Sequence, residues 1–107
     1  MLKEHLRRGS TPYLICTIQE EFDYSSIKTA WLTLWQNDKI ILDKVTEDLT
    51  ITRNTINILL TQEDTLAFVA GNMAEIQLRL LTDTDTAYVS QKEKVMVDGI
   101  IKDGVIR

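Results

Sequence analysis

At 107 residues the chain has room for one domain with one core and is too short for two. Its apolar fraction of 44% and well-mixed charges, 26% of residues, exclude a disordered chain. The balance of 12 basic and 16 acidic residues, net −4, argues against nucleic-acid binding, which draws its affinity from a basic stripe that meets phosphates.

The chain opens with a polar, basic stretch, residues 1–8, in which Lys3, Arg7 and Arg8 form the only basic cluster. Gly9-Ser10-Thr11-Pro12 comes next and reads as a turn, so the opening reads as a flexible arm and residues 9–107 as a single β domain. The start also lacks the apolar core of a signal peptide, and no run approaches the roughly 18 apolar residues that cross a bilayer. Membrane contact and export by that route are therefore not expected.

Strand signals begin after Pro12. Tyr13 to Ile18 alternates Leu14, Cys16 and Ile18 against Tyr13, Ile15 and Thr17. Cys16, the single cysteine, reads as a small core residue, and a chain with one cysteine forms no internal disulfide. Gln19 to Ser26 is an acidic, polar loop. The next strand, from Ile27, carries Lys28-Thr29-Ala30-Trp31-Leu32-Thr33-Leu34-Trp35-Gln36. Alternation puts Ala30, Leu32 and Leu34 on one face and Trp31, Thr33 and Trp35 on the other, with the indoles about 13 Å apart. Asn37-Asp38 is a two-residue hairpin turn. Lys39 to Val45 returns with Ile40 and Leu42 expected inward and Ile41 and Val45 on the tryptophan face.

Leu49 to Ile51 reads as a short edge strand and Thr55 to Leu60 as a strand with regular alternation. Thr61 and Asp64 together predict a capping box and one or two helical turns ending before Gly71, with Leu66 and Phe68 inward. Ala74 to Leu81 is a strand with Ile76, Leu78 and Leu80 inward and Glu75, Gln77 and Arg79 outward. Thr82 to Thr86 is a loop, and two more strands run through Ala87 to Ser90 and Lys92 to Ile101. About seven short strands at this spacing mark an all-β sandwich or barrel, with Val95 and Val97 completing its core.

Catalytic residues are not found. The one histidine, His5, lies in the arm, where it is not expected to serve a nucleophile. Cys16 and His5 together fall short of a zinc site, and the four glycines are isolated rather than gathered into a phosphate loop. The acidic runs Glu20-Glu21-Phe22-Asp23 and Asp83-Thr84-Asp85 lack calcium-loop spacing and read as solvated turns. No enzyme activity, metal or cofactor is expected.

The tryptophan face supports three readings. It packs inside the monomer under another segment, forms a subunit or partner interface, or makes a sugar-stacking platform with Gln36 as its obvious donor. The candidate partner-binding residues are Trp31, Thr33, Trp35 and Ile41.

Several stretches carry a resemblance. They are Arg8-Gly9-Ser10-Thr11-Pro12 with the strand to Ile18, Leu60-Thr61-Gln62-Glu63-Asp64-Thr65-Leu66-Ala67-Phe68, Glu75-Ile76-Gln77-Leu78-Arg79-Leu80-Leu81, and the closing Asp103-Gly104-Val105-Ile106. In this order they resemble small proteins of phage and prophage tail-gene clusters of Firmicutes and, more distantly, the N-terminal β-sandwich module of phage baseplate upper proteins. The resemblance spans nearly everything after Arg7. It implies an immunoglobulin-like antiparallel β-sandwich of about seven strands with one short helical turn. It also implies a virion structural or assembly protein, made in the bacterial cytoplasm, whose partners are other phage structural proteins or a second copy of itself. The alternative is a carbohydrate-binding module for host cell-wall glycan. Trp31 and Trp35 depart from the pattern, standing where smaller or polar residues are expected.

Overall fold

The structure, a computed structural model, describes residues 5–18 and 22–107. Its nine strands are β1 (His5–Arg7), β2 (Tyr13–Cys16), β3 (Ile27–Gln36), β4 (Lys39–Lys44), β5 (Thr50–Ile51), β6 (Ile56–Leu59), β7 (Met73–Thr82), β8 (Ala87–Val89) and β9 (Glu93–Asp98), with one helix, α1 (Gln62–Leu66). They form two sheets. The larger has the order β1-β9-β7-β3-β4, with β8 also on β7, and the smaller has the order β2-β6-β5. Labelled as immunoglobulin strands, β2-β6-β5 takes the B-E-D positions and β9-β7-β3-β4 the G-F-C-C′ positions. The fold is all-β and immunoglobulin-like.

Alternation builds the core. Ala30, Leu32 and Leu34 of β3, Ile76, Leu78 and Leu80 of β7, and Val95 and Val97 of β9 are buried on the inner face of the larger sheet. Leu14, Cys16, Ile56, Ile58 and Leu60 bury from the β2–β6 side. Tyr24 joins them from the segment before β3, and its phenol oxygen accepts a hydrogen bond from the Ile18 N–H at 2.6 Å.

The expected helical turn forms as its sequence dictates. Thr61 Oγ1 accepts from the Asp64 N–H at 3.1 Å, and Asp64 Oδ2 accepts from the Thr61 N–H at 3.0 Å. Thr65 and Phe68 are buried behind it. The Asp64 carboxylate also meets Lys44 Nζ at 3.2 Å, which ties α1 to β4.

Three expectations are corrected. Residues His5–Arg7 are not a free arm: they pair in parallel with β9, which makes the larger sheet mixed, and Leu6 is buried opposite Val97. Arg8 fixes this segment by donating from Nε to the Phe68 carbonyl at 2.8 Å and from Nη2 to the Leu66 carbonyl at 3.1 Å. It also pairs with Asp103 at 2.7 Å. A cation thus satisfies carbonyls at the end of α1. The remaining arm residues, 1–4, lie outside the described residues.

The second correction is in β4. Asn37 and Asp38 turn with φ of 54° and 64°, the left-handed pair of a type I′ hairpin. Beyond them the register shifts: Trp35 faces Ile40, but Leu34 faces Leu42, which leaves Ile41 as the extra residue. Ile40 therefore turns outward, 60% exposed, whereas Ile41 is half-buried and packs against the core. Strict alternation, which pairs Ile40 with Leu42, fails across this bulge.

The third is Gln36. It lies on the inner face of β3, fully buried, donating to the carbonyls of Val69 and Asn72 and accepting from the Val69 N–H at 2.7 Å. It locks the segment after α1 to the end of β3 and is absent from any binding surface.

Candidate functional site

The outer face of the larger sheet gathers the candidate residues. Along β3 the inner side chains are at most 1% exposed, whereas Trp31 is 43% exposed and Thr33 and Trp35 are half-buried. Strand β7 lies beside β3 in a register that sets Arg79 next to Trp31, Gln77 next to Thr33 and Glu75 next to Trp35. On the other side β4 sets Asp43 next to Thr33 and Ile40 next to Trp35. Beyond β7, Val89 adjoins Arg79 and Lys94 adjoins Glu75.

Two rows of the face thus share one plan, an indole beside a charge. In the first row the Arg79 guanidinium stands over the Trp31 ring, 5.3 Å from its centroid, a cation–π contact that holds both side chains across the strands. In the second, Trp35, Thr33, Ile40, Glu75, Gln77 and Lys92 line a shallow groove of about 380 Å³. Between the rows, Thr33 Oγ1 donates to Asp43 Oδ1 at 3.0 Å. Gln77 Nε2 donates to the Ser90 carbonyl at 3.0 Å. Among the described residues neither Glu75 nor Arg79 has an ion-pair partner. The face continues through Met73, 46% exposed, and Val89, 58% exposed.

Of the sequence-predicted residues, Trp31, Thr33 and Trp35 share this face, and Ile41 does not. Ile40 takes its place. Glu75, Gln77 and Arg79 are legible as outward residues of their own strand. Their juxtaposition with the tryptophans is not, because β3–β7 pairing joins segments distant in sequence.

The groups considered for chemistry lie elsewhere. His5 sits on β1 with Nδ1 3.1 Å from the Asp98 carboxylate, in an exposed position. Asp23 Oδ1 accepts from the Ser25 N–H and hydroxyl and shapes a turn. Glu20 and Glu21 fall outside the described residues. Asp83 and Asp85 sit in the β7–β8 turn, where Asp85 adopts a φ of 61°. Among the described residues no cluster of three or more His, Cys, Asp or Glu side chains has metal-site geometry. The Cys16 thiol is buried, and desolvation pushes its pKa above the ordinary value. A second cavity, about 350 Å³, opens along the seam between β2 and the β8–β9 edge, with core side chains such as Leu32, Ile76 and Leu78 at its base and Tyr88, Gln91 and Glu93 among its remaining lining.

Fold and face together define an immunoglobulin-like sandwich with an aromatic, mixed-charge sheet face. No protein-family model matches the chain, and no curated protein matches it. Among the described residues no helix is long and apolar enough to cross a membrane.

Proposed function

We propose that this chain is a non-enzymatic structural or assembly protein of a phage or prophage tail or baseplate, acting through protein–protein contacts. The observation that carries the contact role is the outer face of β3, where the chain's two tryptophans stand at the surface instead of in the core. Aromatic and Arg side chains are the residue types that concentrate binding energy at interfaces. Location in the virion rests on the resemblance to tail-cluster proteins. The test is mass spectrometry of tail particles purified from an induced lysogen. The chain is expected in the particles at fixed stoichiometry, and a Trp31→Ala, Trp35→Ala variant that remains folded is expected to drop out of them. Particles without the wild-type chain would remove the proposal.

The groove beside Trp35 favours one other reading, a glycan site, because Glu75, Gln77 and Lys92 place polar groups next to the indole. Gln36, the donor expected from sequence, is buried and does not contribute. Soluble cell-wall polysaccharide should then quench or shift tryptophan fluorescence with saturation. A flat titration removes this reading.

A further inference from the structure

We propose that the outer face of the larger sheet binds a second copy of this chain about a two-fold axis running across the strands through the Thr33–Gln77 row. This deepens the contact role above and rests on it.

Strand register sets the symmetry. Trp31 pairs with Arg79, Thr33 with Gln77 and Trp35 with Glu75, so Thr33–Gln77 is midway between two rows that each set an indole beside a charged residue, cationic Arg79 in one and anionic Glu75 in the other. Each row lies about 7 Å from that midline. A two-fold axis in the plane of the interface, perpendicular to the strands at the midline, exchanges the rows. It lays Trp31 of one protomer on Trp35 of its partner and Arg79 on Glu75, twice over. Other relative placements do worse. An axis parallel to the strands sets each row on itself and loses the Arg–Glu match.

One further pair of neighbours fits the same operator. Val89, beside Arg79, meets the aliphatic stem of Lys94, beside Glu75. Asp43, on the midline row at β4, meets its own copy, a like-charge contact that works against the pairing and is left at the exposed rim, where water screens it. The two charges that the axis brings together have no ion-pair partner among the described residues, and each stands beside an indole that shields it from water once covered.

The area is adequate. The six strands of this sheet, from the three residues of β1 to the ten of β3 and β7, at about 4.8 Å between strands and about 3.3 Å per residue, present a face of about 600 Å², the lower end of what each partner contributes to an ordinary stable interface. Two twisted sheet faces pack with their strands within about 30° of alignment.

The experiment is a charge-swap series read by light scattering, with far-UV circular dichroism confirming the fold of each variant. The wild-type chain is expected at twice its 12.3 kDa mass at micromolar concentration. Glu75→Arg and Arg79→Glu each create two like-charge contacts and should weaken association at least about tenfold. The double variant Glu75→Arg, Arg79→Glu restores opposite charges about the axis and should dimerise again. A wild-type monomer overturns the inference, as does a dimer indifferent to the single reversals or not rescued by the swap. If the wild type is monomeric yet still enters tail particles through its tryptophans, the contact role stands and only the self-pairing falls.

Discussion

Single residues on this sheet are sorted by what their neighbours offer. Trp31 and Trp35 alternate with leucines along one strand, yet they face outward because the inner face is already filled from the facing sheet. Gln36 obeys the same alternation inward, and it is tolerated at full burial because three backbone groups satisfy its amide. Nothing in the local sequence marks those partners, since they come from a segment more than thirty residues on. Cys16 carries a prediction at this scale. Burial raises its folded pKa above the ordinary 9.0, so the folded state holds the thiol proton more tightly than the unfolded state. The resulting stability is complete below pH about 9 and is lost as pH rises above that value. Urea unfolding of the wild type and Cys16→Ala between pH about 7 and 10.5 should show a steeper alkaline loss for the wild type. Parallel curves would show that the thiol is as solvated as in the unfolded chain.

At the scale of elements, long alternating segments are the legible ones. β3, β7 and the capped turn of α1 form where periodicity and the Thr61–Asp64 pair place them. β5 and β8 are short but legible from their apolar residues between turn formers, whereas β1 lacks such a frame, which hides it in the sequence. Its signal is one leucine, Leu6, between His5 and Arg7, and its burial depends on β9, some ninety residues away. The bulge in β4 is hidden for a related reason, because a single extra residue reverses the facing of the rest of the strand and leaves composition unchanged. Leu6→Ala tests the strand assignment. Removal of a fully buried leucine side chain should cost about 2–4 kcal/mol in urea unfolding, whereas a free arm would register less than about 0.5 kcal/mol.

For the whole molecule, the immunoglobulin-like arrangement gives two sheets whose inner faces share one core, and the broad outer face of the larger sheet has no layer over it among the described residues. The tryptophans of that face are legible in sequence as a departure from inward-apolar alternation. Their charged neighbours require the β3–β7 register. The fold does not rest on the two indoles, because the core closes beneath them, whereas the proposed association does. Sedimentation velocity on the wild type and the Trp31→Ala, Trp35→Ala variant at equal micromolar concentration reads mass and compactness together. A compact dimer is expected for the wild type and a compact monomer for the variant. A variant that sediments as the wild type does, or as an expanded unfolded chain, would contradict this division of labour between core and face.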